Sequence, residues 1–287
     1  MTTDPRVGAR GPAGDQDPDG ASRPKVRIDD LEVTYQRPDG TTTKAVDHVD
    51  LTVGEGEFLT LIGPSGCGKT SLLNAIGGLV RPSRGRVVLD DTVVEGPLPQ
   101  RFAFIFQDFA LFPWRTALGN VEIALELQRV RRRERRERAL DALQGVGLAD
   151  VADRYPRELS GGMKQRVAVA RALVLDCDVL LLDEPFGALD EQTRLVLGTE
   201  LCRILERTGK SIVFVTHSLQ EAAYLSDRVV AFSRRPCRVR AVLDVALDRP
   251  RHPGLMSQPA FQDLQARLFQ ILFTEAGAPA PETASRP

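Results

Sequence analysis

Gly63-Pro64-Ser65-Gly66-Cys67-Gly68-Lys69-Thr70 stands between a short apolar run, Phe58-Leu59-Thr60-Leu61-Ile62, and Ser71 to Val80, where apolar residues recur at helical spacing. The octapeptide fits G-x-x-x-x-G-K-[ST] in a strand–loop–helix setting. Glycines let a backbone fold closely around phosphate oxygens, and successive N–H groups with the helix N-terminus supply positive potential. Lys69 is placed to reach the β- and γ-phosphates, and the Thr70 hydroxyl to ligate Mg²⁺. Residues Gly63 to Ser71 therefore predict a nucleoside triphosphate site.

Farther along, Val179-Leu-Leu-Leu-Asp183-Glu184 reads as a buried strand ending in two acids. A carboxylate at the C-terminal end of such a strand, beside a phosphate loop, is placed to hold Mg²⁺. Asp183 takes that role, and Glu184, one residue on, aims at the water that attacks the γ-phosphate. Leu159-Ser160-Gly161-Gly162 opens another helix, with Ser160 as its cap and free N–H groups that suit an anion. Two anion-binding helix starts in one chain can complete each other's sites across a symmetric dimer.

The remaining pattern sets the fold class. Strands are expected at Val26 to Tyr35, Thr41 to Val53, Val87 to Leu89, Phe102 to Phe106, Ile212 to Val215 and Val229 to Phe232. Helices are expected at Val121 to Leu127, Ala139 to Val146, Gly162 to Leu175, Thr193 to Arg207 and Gln220 to Ser226, with an Arg-rich link between the first two. Apolar strands alternating with amphipathic helices imply an α/β fold with a mostly parallel sheet covered on both faces. Residues 1–24 and 275–287 carry almost no large apolar side chain and are expected to be disordered tails. Between them lie a nucleotide-binding domain over 25–245 and a helical extension over 246–274, where Phe261, Leu264, Leu268, Ile271 and Leu272 form one amphipathic face expected to pack on the domain.

Composition narrows the partners. Across 287 residues, 38 Lys and Arg balance 39 Asp and Glu for a net charge of −1, which removes a whole-chain electrostatic argument for nucleic-acid binding. Seven arginines against two glutamates over 129–138 read as a solvated helix face. No apolar run approaches the roughly 20 residues of a spanning helix, and no signal segment opens the chain, so a soluble protein kept inside the cell is expected. Cys67, Cys177, Cys202 and Cys237 are scattered without a CxxC pair and read as isolated thiols.

The order phosphate loop, Gln107, Leu-Ser-Gly-Gly, Asp-Glu, Ala188-Leu189-Asp190 and His217 resembles the nucleotide-binding subunit of an ATP-binding-cassette (ABC) transporter, over nearly all of residues 26–240. The Leu-Ser-Gly-Gly segment, with Ser160 standing 23 residues before Asp183, is the most specific part. Taken locally, Gln107 is a polar residue after a strand, Asp190 a turn acid and His217 a strand-end histidine; the resemblance assigns their roles. It implies an ATPase with a RecA-like P-loop core, an antiparallel β subdomain and a helical subdomain over about 108–165. Gln107 would sense Mg²⁺, and His217 would contact the γ-phosphate and orient water with Glu184. Ser160, Gly161 and Gly162 would reach the ATP held by a second, head-to-tail copy, with Asp190 bridging the two. Tyr35 would stack on adenine, and Val46 would touch the same ring. Met163 stands where many members carry Gln, and Ser218 where Asp is frequent.

Phe109-Ala-Leu-Phe-Pro113-Trp114-Arg115 holds the only tryptophan and lies, by resemblance, where the helical subdomain meets a membrane subunit. This form, with Asp183-Glu-Pro-Phe-Gly-Ala-Leu-Asp190, looks most like importers of nitrate, taurine and aliphatic sulfonates. Ser233-Arg-Arg-Pro-Cys-Arg238 resembles the same group, in which Gly is commoner than Cys237. The implied assembly is two copies of the chain, two permease subunits and a separate solute-binding protein, with the ATPase peripheral on the cytoplasmic face of the membrane. An exporter or lipid-extracting ATPase shares the same core, and so does a soluble non-transport ABC ATPase.

Overall fold

The computed structural model describes residues 24–274. The expected tails, 1–24 and 275–287, lie outside them save for Pro24. Two sheets organise the chain. β1 (Val26–Gln36), β2 (Thr42–Val53), β4 (Arg84–Leu89) and β5 (Thr92–Val93) form an antiparallel sheet in the order β2-β1-β4-β5. β3 (Phe58–Ile62), β6 (Phe102–Ile105), β7 (Val179–Asp183), β8 (Ser211–Thr216), β9 (Arg228–Phe232) and β10 (Val239–Asp244) form the second, ordered β10-β9-β3-β8-β7-β6. All its pairs are parallel except β9 with β10. β3, β7 and β8 are buried throughout, which explains why they read as unbroken apolar runs rather than alternating ones.

α1 (Lys69–Ile76) follows the phosphate loop and is shorter than the run to Val80 predicts. Gly78 turns the chain at φ 74°, and a Cβ there would sit 2.2 Å from the Gly96 carbonyl oxygen, so the helix cannot continue through this close backbone crossing. α2 (Ala117–Leu127), α3 (Arg132–Gly145) and α4 (Gly161–Leu173) form the helical region between β6 and β7. The Arg-rich stretch, placed between two helices and read as a solvated helix face, is that face rather than a link: most of it forms the exposed first half of α3. Arginine is a good helix former, and Arg138 pairs with Glu134 one turn earlier at 3.4 Å.

α5 (Glu191–Thr208) runs between β7 and β8 and ends at left-handed Gly209. α6 (Leu219–Leu225) follows β8. α7 (Pro259–Phe269) packs on α6 and buries Phe261, Leu264 and Leu268, with Leu272 beyond it; Ile271 is only half-buried. β5 and β10 were not expected, since two residues and a mixed polar run give no period-2 signal. No helix among the described residues is long and apolar enough to cross a membrane.

Candidate functional site

Parallel register brings three loops to one edge. Ile62 pairs with Thr216 and Asp183 with Val215, so the segments leaving β3, β7 and β8 emerge together. They carry the phosphate loop, Glu184 and His217. A cleft of about 320 Å³ at this edge is lined by Ser65, Gly66, Gly68, Lys69, Thr70 and Ser71, with Gln107 and Glu184 opposite.

The loop is held from beneath. Gly68 takes φ 126°, and a Cβ there would lie 2.3 Å from the Ala45 carbonyl oxygen, so only glycine lets the loop rest on β2. Lys69 is 4% exposed, and its Nζ donates to the Gly63 and Pro64 carbonyls at 2.8 and 3.0 Å. Its ammonium thus braces the loop from inside the curve into which phosphate oxygens would fit.

Asp183 is buried at the end of β7. Burial raises its pKa, and a hydrogen bond with Thr70 opposes the shift. Its Oδ1 has no hydrogen-bond partner among the described residues, an orphaned buried oxygen beside a hydroxyl. That donor pair suits a hard divalent cation, which favours oxygen ligands.

Glu184 takes the left-handed region, φ 46°, which is rare for a residue with a Cβ. Its N–H donates to the Val215 carbonyl at 3.0 Å, which anchors the strained turn. Its Oε1 lies 3.4 Å from His217 Nδ1. Gln165 of α4 donates to the Glu184 carbonyl at 3.4 Å and accepts from the Ala188 N–H at 3.0 Å, tying the helix after Ser160 to the acidic turn. Sequence reasoning missed Gln165 because no local motif marks it.

His217 is presented by a second device. The Thr216 hydroxyl donates to Glu221, whose pKa burial raises, and accepts from the Ser218 N–H at 3.0 Å. Ser218 also caps α6 by accepting from the Glu221 N–H at 3.3 Å, so the serine found where Asp is frequent still serves as an N-cap. Thr216→Val would strip the buried carboxyl of this partner. The expected cost is about 1–3 kcal/mol, read by thermal melting as roughly 2–4 °C for each kcal/mol.

Tyr35 ends β1 partly exposed, its hydroxyl donating to Ser71 Oγ at 3.1 Å. The ring therefore stands beside the start of α1. Val46 is placed differently from expectation. It is fully buried in the core under the antiparallel sheet and has no surface to offer a base, whereas its neighbour Ala45 lines the cleft. Arg235, from the Ser233 to Arg238 turn between β9 and β10, also lines it and adds a positive charge whose place at the cleft the sequence did not announce.

Ser160, Gly161, Gly162 and Asp190 do not line this cleft. Ser160 caps α4 by accepting from the Met163 N–H at 3.2 Å, and Asp190 caps α5 through Thr193 at 2.9 Å. That hydrogen bonding holds the Asp190 carboxyl below the usual carboxylate range. Gly162 packs on Leu189, so Ser160 and Asp190 sit on neighbouring turns, both exposed.

The loop after Gln107 is fixed by buried Asn120, which accepts from the Phe112 N–H at 2.7 Å and donates to the carbonyls of Phe112, Arg115 and Thr116. Arg171 of α4 donates to the carbonyls of Phe109 and Ala110. The result presents Trp114 71% exposed, its ring 5.5 Å from that of Phe112.

Comparison with known proteins agrees with this geometry. The family profile described as ABC transporter matches residues 46–187. An uncharacterized ABC transporter ATP-binding protein of Methanocaldococcus jannaschii is 48% identical over 251 residues, 88% of this chain and 92% of that protein. A taurine import ATP-binding protein of Rhizobium johnstonii is 41% identical over 86% of this chain and 96% of its own length. A nitrate import ATP-binding protein of Synechococcus elongatus is 43% identical over 86% of this chain and 38% of its own length. Among solved structures, a dimeric ATP-binding cassette in a post-hydrolysis state with ADP and phosphate superimposes with a TM-score of 0.72, at 33% identity over 78% of this chain and all of that one.

Proposed function

This chain belongs to the ABC transporter ATP-binding proteins, and from that premise we propose that it is the ATPase subunit driving uptake of a small inorganic or sulfonate anion. The observation that carries the solute class is the likeness to nitrate, taurine and bicarbonate transport ATP-binding proteins at 39–43% identity, together with the exposed Trp114 loop. Deleting the chain from its host should abolish uptake of one labelled anion of this class. Unchanged uptake of nitrate, taurine, other sulfonates and bicarbonate would overturn the solute class.

The chain hydrolyses ATP, and its residues divide the work. The N–H groups of Gly63 to Ser71 and the Lys69 ammonium receive the phosphates. Thr70, Asp183 and Gln107 are the residues that would hold Mg²⁺, which supplies charge neutralisation on the phosphate oxygens. Glu184 accepts a proton from the water whose oxygen attacks the γ-phosphorus, while the bond to the bridging oxygen breaks and ADP leaves. His217 orients that water and contacts the γ-phosphate from the facing turn. Ser160 to Gly162, remote from the cleft in one copy, complete the site of a second copy, with Asp190 at the seam.

The ATP-closed pair pulls on two permease subunits through the Trp114 loops, at the cytoplasmic face of the membrane, and a solute-binding protein delivers the anion. Tyr35 gives the adenine a platform. Tyr35→Ala should weaken ATP binding by about 1–3 kcal/mol and Tyr35→Phe far less, as titration with a fluorescent nucleotide would show.

A further inference from the structure

The turn from Ser233 to Arg238 is fixed from within and from outside. The Ser233 hydroxyl lies 2.9 Å from the carbonyl oxygens of Arg234 and Pro236 and accepts from the Arg238 N–H at 3.2 Å. The Ser233 N–H donates to the Arg238 carbonyl at 3.0 Å. The turn is also fastened to β2. The Cys237 N–H donates to the Ala45 carbonyl at 2.9 Å, and the Cys237 carbonyl accepts from the Asp47 N–H at 3.0 Å. Arg238 Nε donates to buried Asp47 at 2.6 Å. The Cys237 Cβ lies 3.0 Å from the point a Cβ of Gly68 would occupy, so the turn abuts the phosphate loop as well.

This fastening delivers Arg235 to the cleft. Val46 of β2 pairs with Val33 of β1 and bridges to Cys237, so β1 and the turn lie on opposite sides of β2. Tyr35, on β1, and Arg235 therefore flank Ala45, whose carbonyl supports Gly68 between them. Arg235 is exposed and has no ion-pair partner among the described residues, whereas Arg238 in the same turn is matched by Asp47. Lys69, the other cation lining the cleft, spends two of its three donors on the Gly63 and Pro64 carbonyls.

We propose that Arg235 is a nucleotide-binding residue that grips the diphosphate common to ATP and ADP. The proposal rests on the reading of this cleft as the nucleotide site. Tyr35 marks its adenine end and Glu184 with His217 its γ-phosphate end, and a cation beside Gly68 and Ala45 meets the phosphates between them. A guanidinium offers two parallel N–H donors to phosphate oxygens and keeps its charge at any pH the protein meets. Arg235 gives up no ion pair to make the contact, so the cost is the ordering of one side chain.

The test titrates ATP and ADP into full-length Arg235→Ala by calorimetry and follows turnover. Affinity for both nucleotides should fall by the same factor, roughly 10–100-fold, the worth of one charge-assisted hydrogen bond. Turnover at saturating ATP should stay close to the wild-type rate, because a grip made equally in ground and transition states moves KM and not kcat. Arg235→Lys, which keeps the charge without the fork, should fall between. Arg234→Ala removes an exposed neighbour that does not line the cleft and should bind as the wild type does. Unchanged affinity in Arg235→Ala overturns the proposal, and so does a loss confined to ATP, which would put the contact on the γ-phosphate. An equal loss in Arg234→Ala also overturns it, since a general positive field would then suffice. A wild-type chain that binds neither nucleotide would overturn the nucleotide reading together with it.

Discussion

Glu184→Gln is expected to bind ATP as the wild-type chain does and to hydrolyse it roughly 10²–10⁴-fold more slowly, the span attributed to a positioned general base. The carboxamide keeps the shape of the side chain and the Glu184 N–H bond to Val215, so the left-handed turn should survive. What it loses is the lone pair that takes the proton. With hydrolysis blocked, the ATP-bound pair cannot reopen, and size-exclusion chromatography with saturating ATP should show dimer where the wild type shows monomer. A variant that turns over near the wild-type rate would remove Glu184 from the reaction. One that stays monomeric with its membrane partners present would remove the head-to-tail pair.

Lys69→Ala should fail one step earlier. The ammonium is buried and braces the Gly63 and Pro64 carbonyls, and it is the fixed positive charge within the loop. Losing a charge-assisted hydrogen bond to phosphate costs about 1.5–3 kcal/mol, or roughly 10–150-fold in affinity. Titration calorimetry should therefore show weak or undetectable ATP binding, with turnover falling in step. The two variants separate binding from chemistry, because Glu184→Gln must retain the affinity that Lys69→Ala destroys. Equal affinity in both would contradict the division of roles.

What could be read from the chain was what is local. The phosphate loop, the Asp183-Glu184 strand end and the Ser160 cap are contiguous, and each motif carries its own chemistry. The first two converge on one edge with His217 because β3, β7 and β8 are parallel, which unbroken apolar runs foretold, whereas the Ser160 cap stands away from that cleft. Features that depend on register or distant contacts were not legible. Val46 and Ala45 are neighbours and both buried, yet Ala45 lines the cleft and Val46 does not, because a one-residue change reverses the facing of a strand side chain. The left-handed turn at Glu184 leaves no trace when the residue is not glycine. Gln165 and Arg235 reach the site from elements far away in sequence. The start of α3 was legible only as a solvated helix face without bounds, because charged residues hide helical periodicity where no apolar face is needed.

The most direct test of the central claim is the ATPase rate of the chain purified with its permease subunits, with nitrate, taurine, other sulfonates or bicarbonate each supplied on its binding protein. Coupled import predicts a low basal rate that one solute-loaded binding protein raises severalfold. A high rate that no solute or binding protein alters would contradict it and point to export or lipid extraction on the same catalytic core.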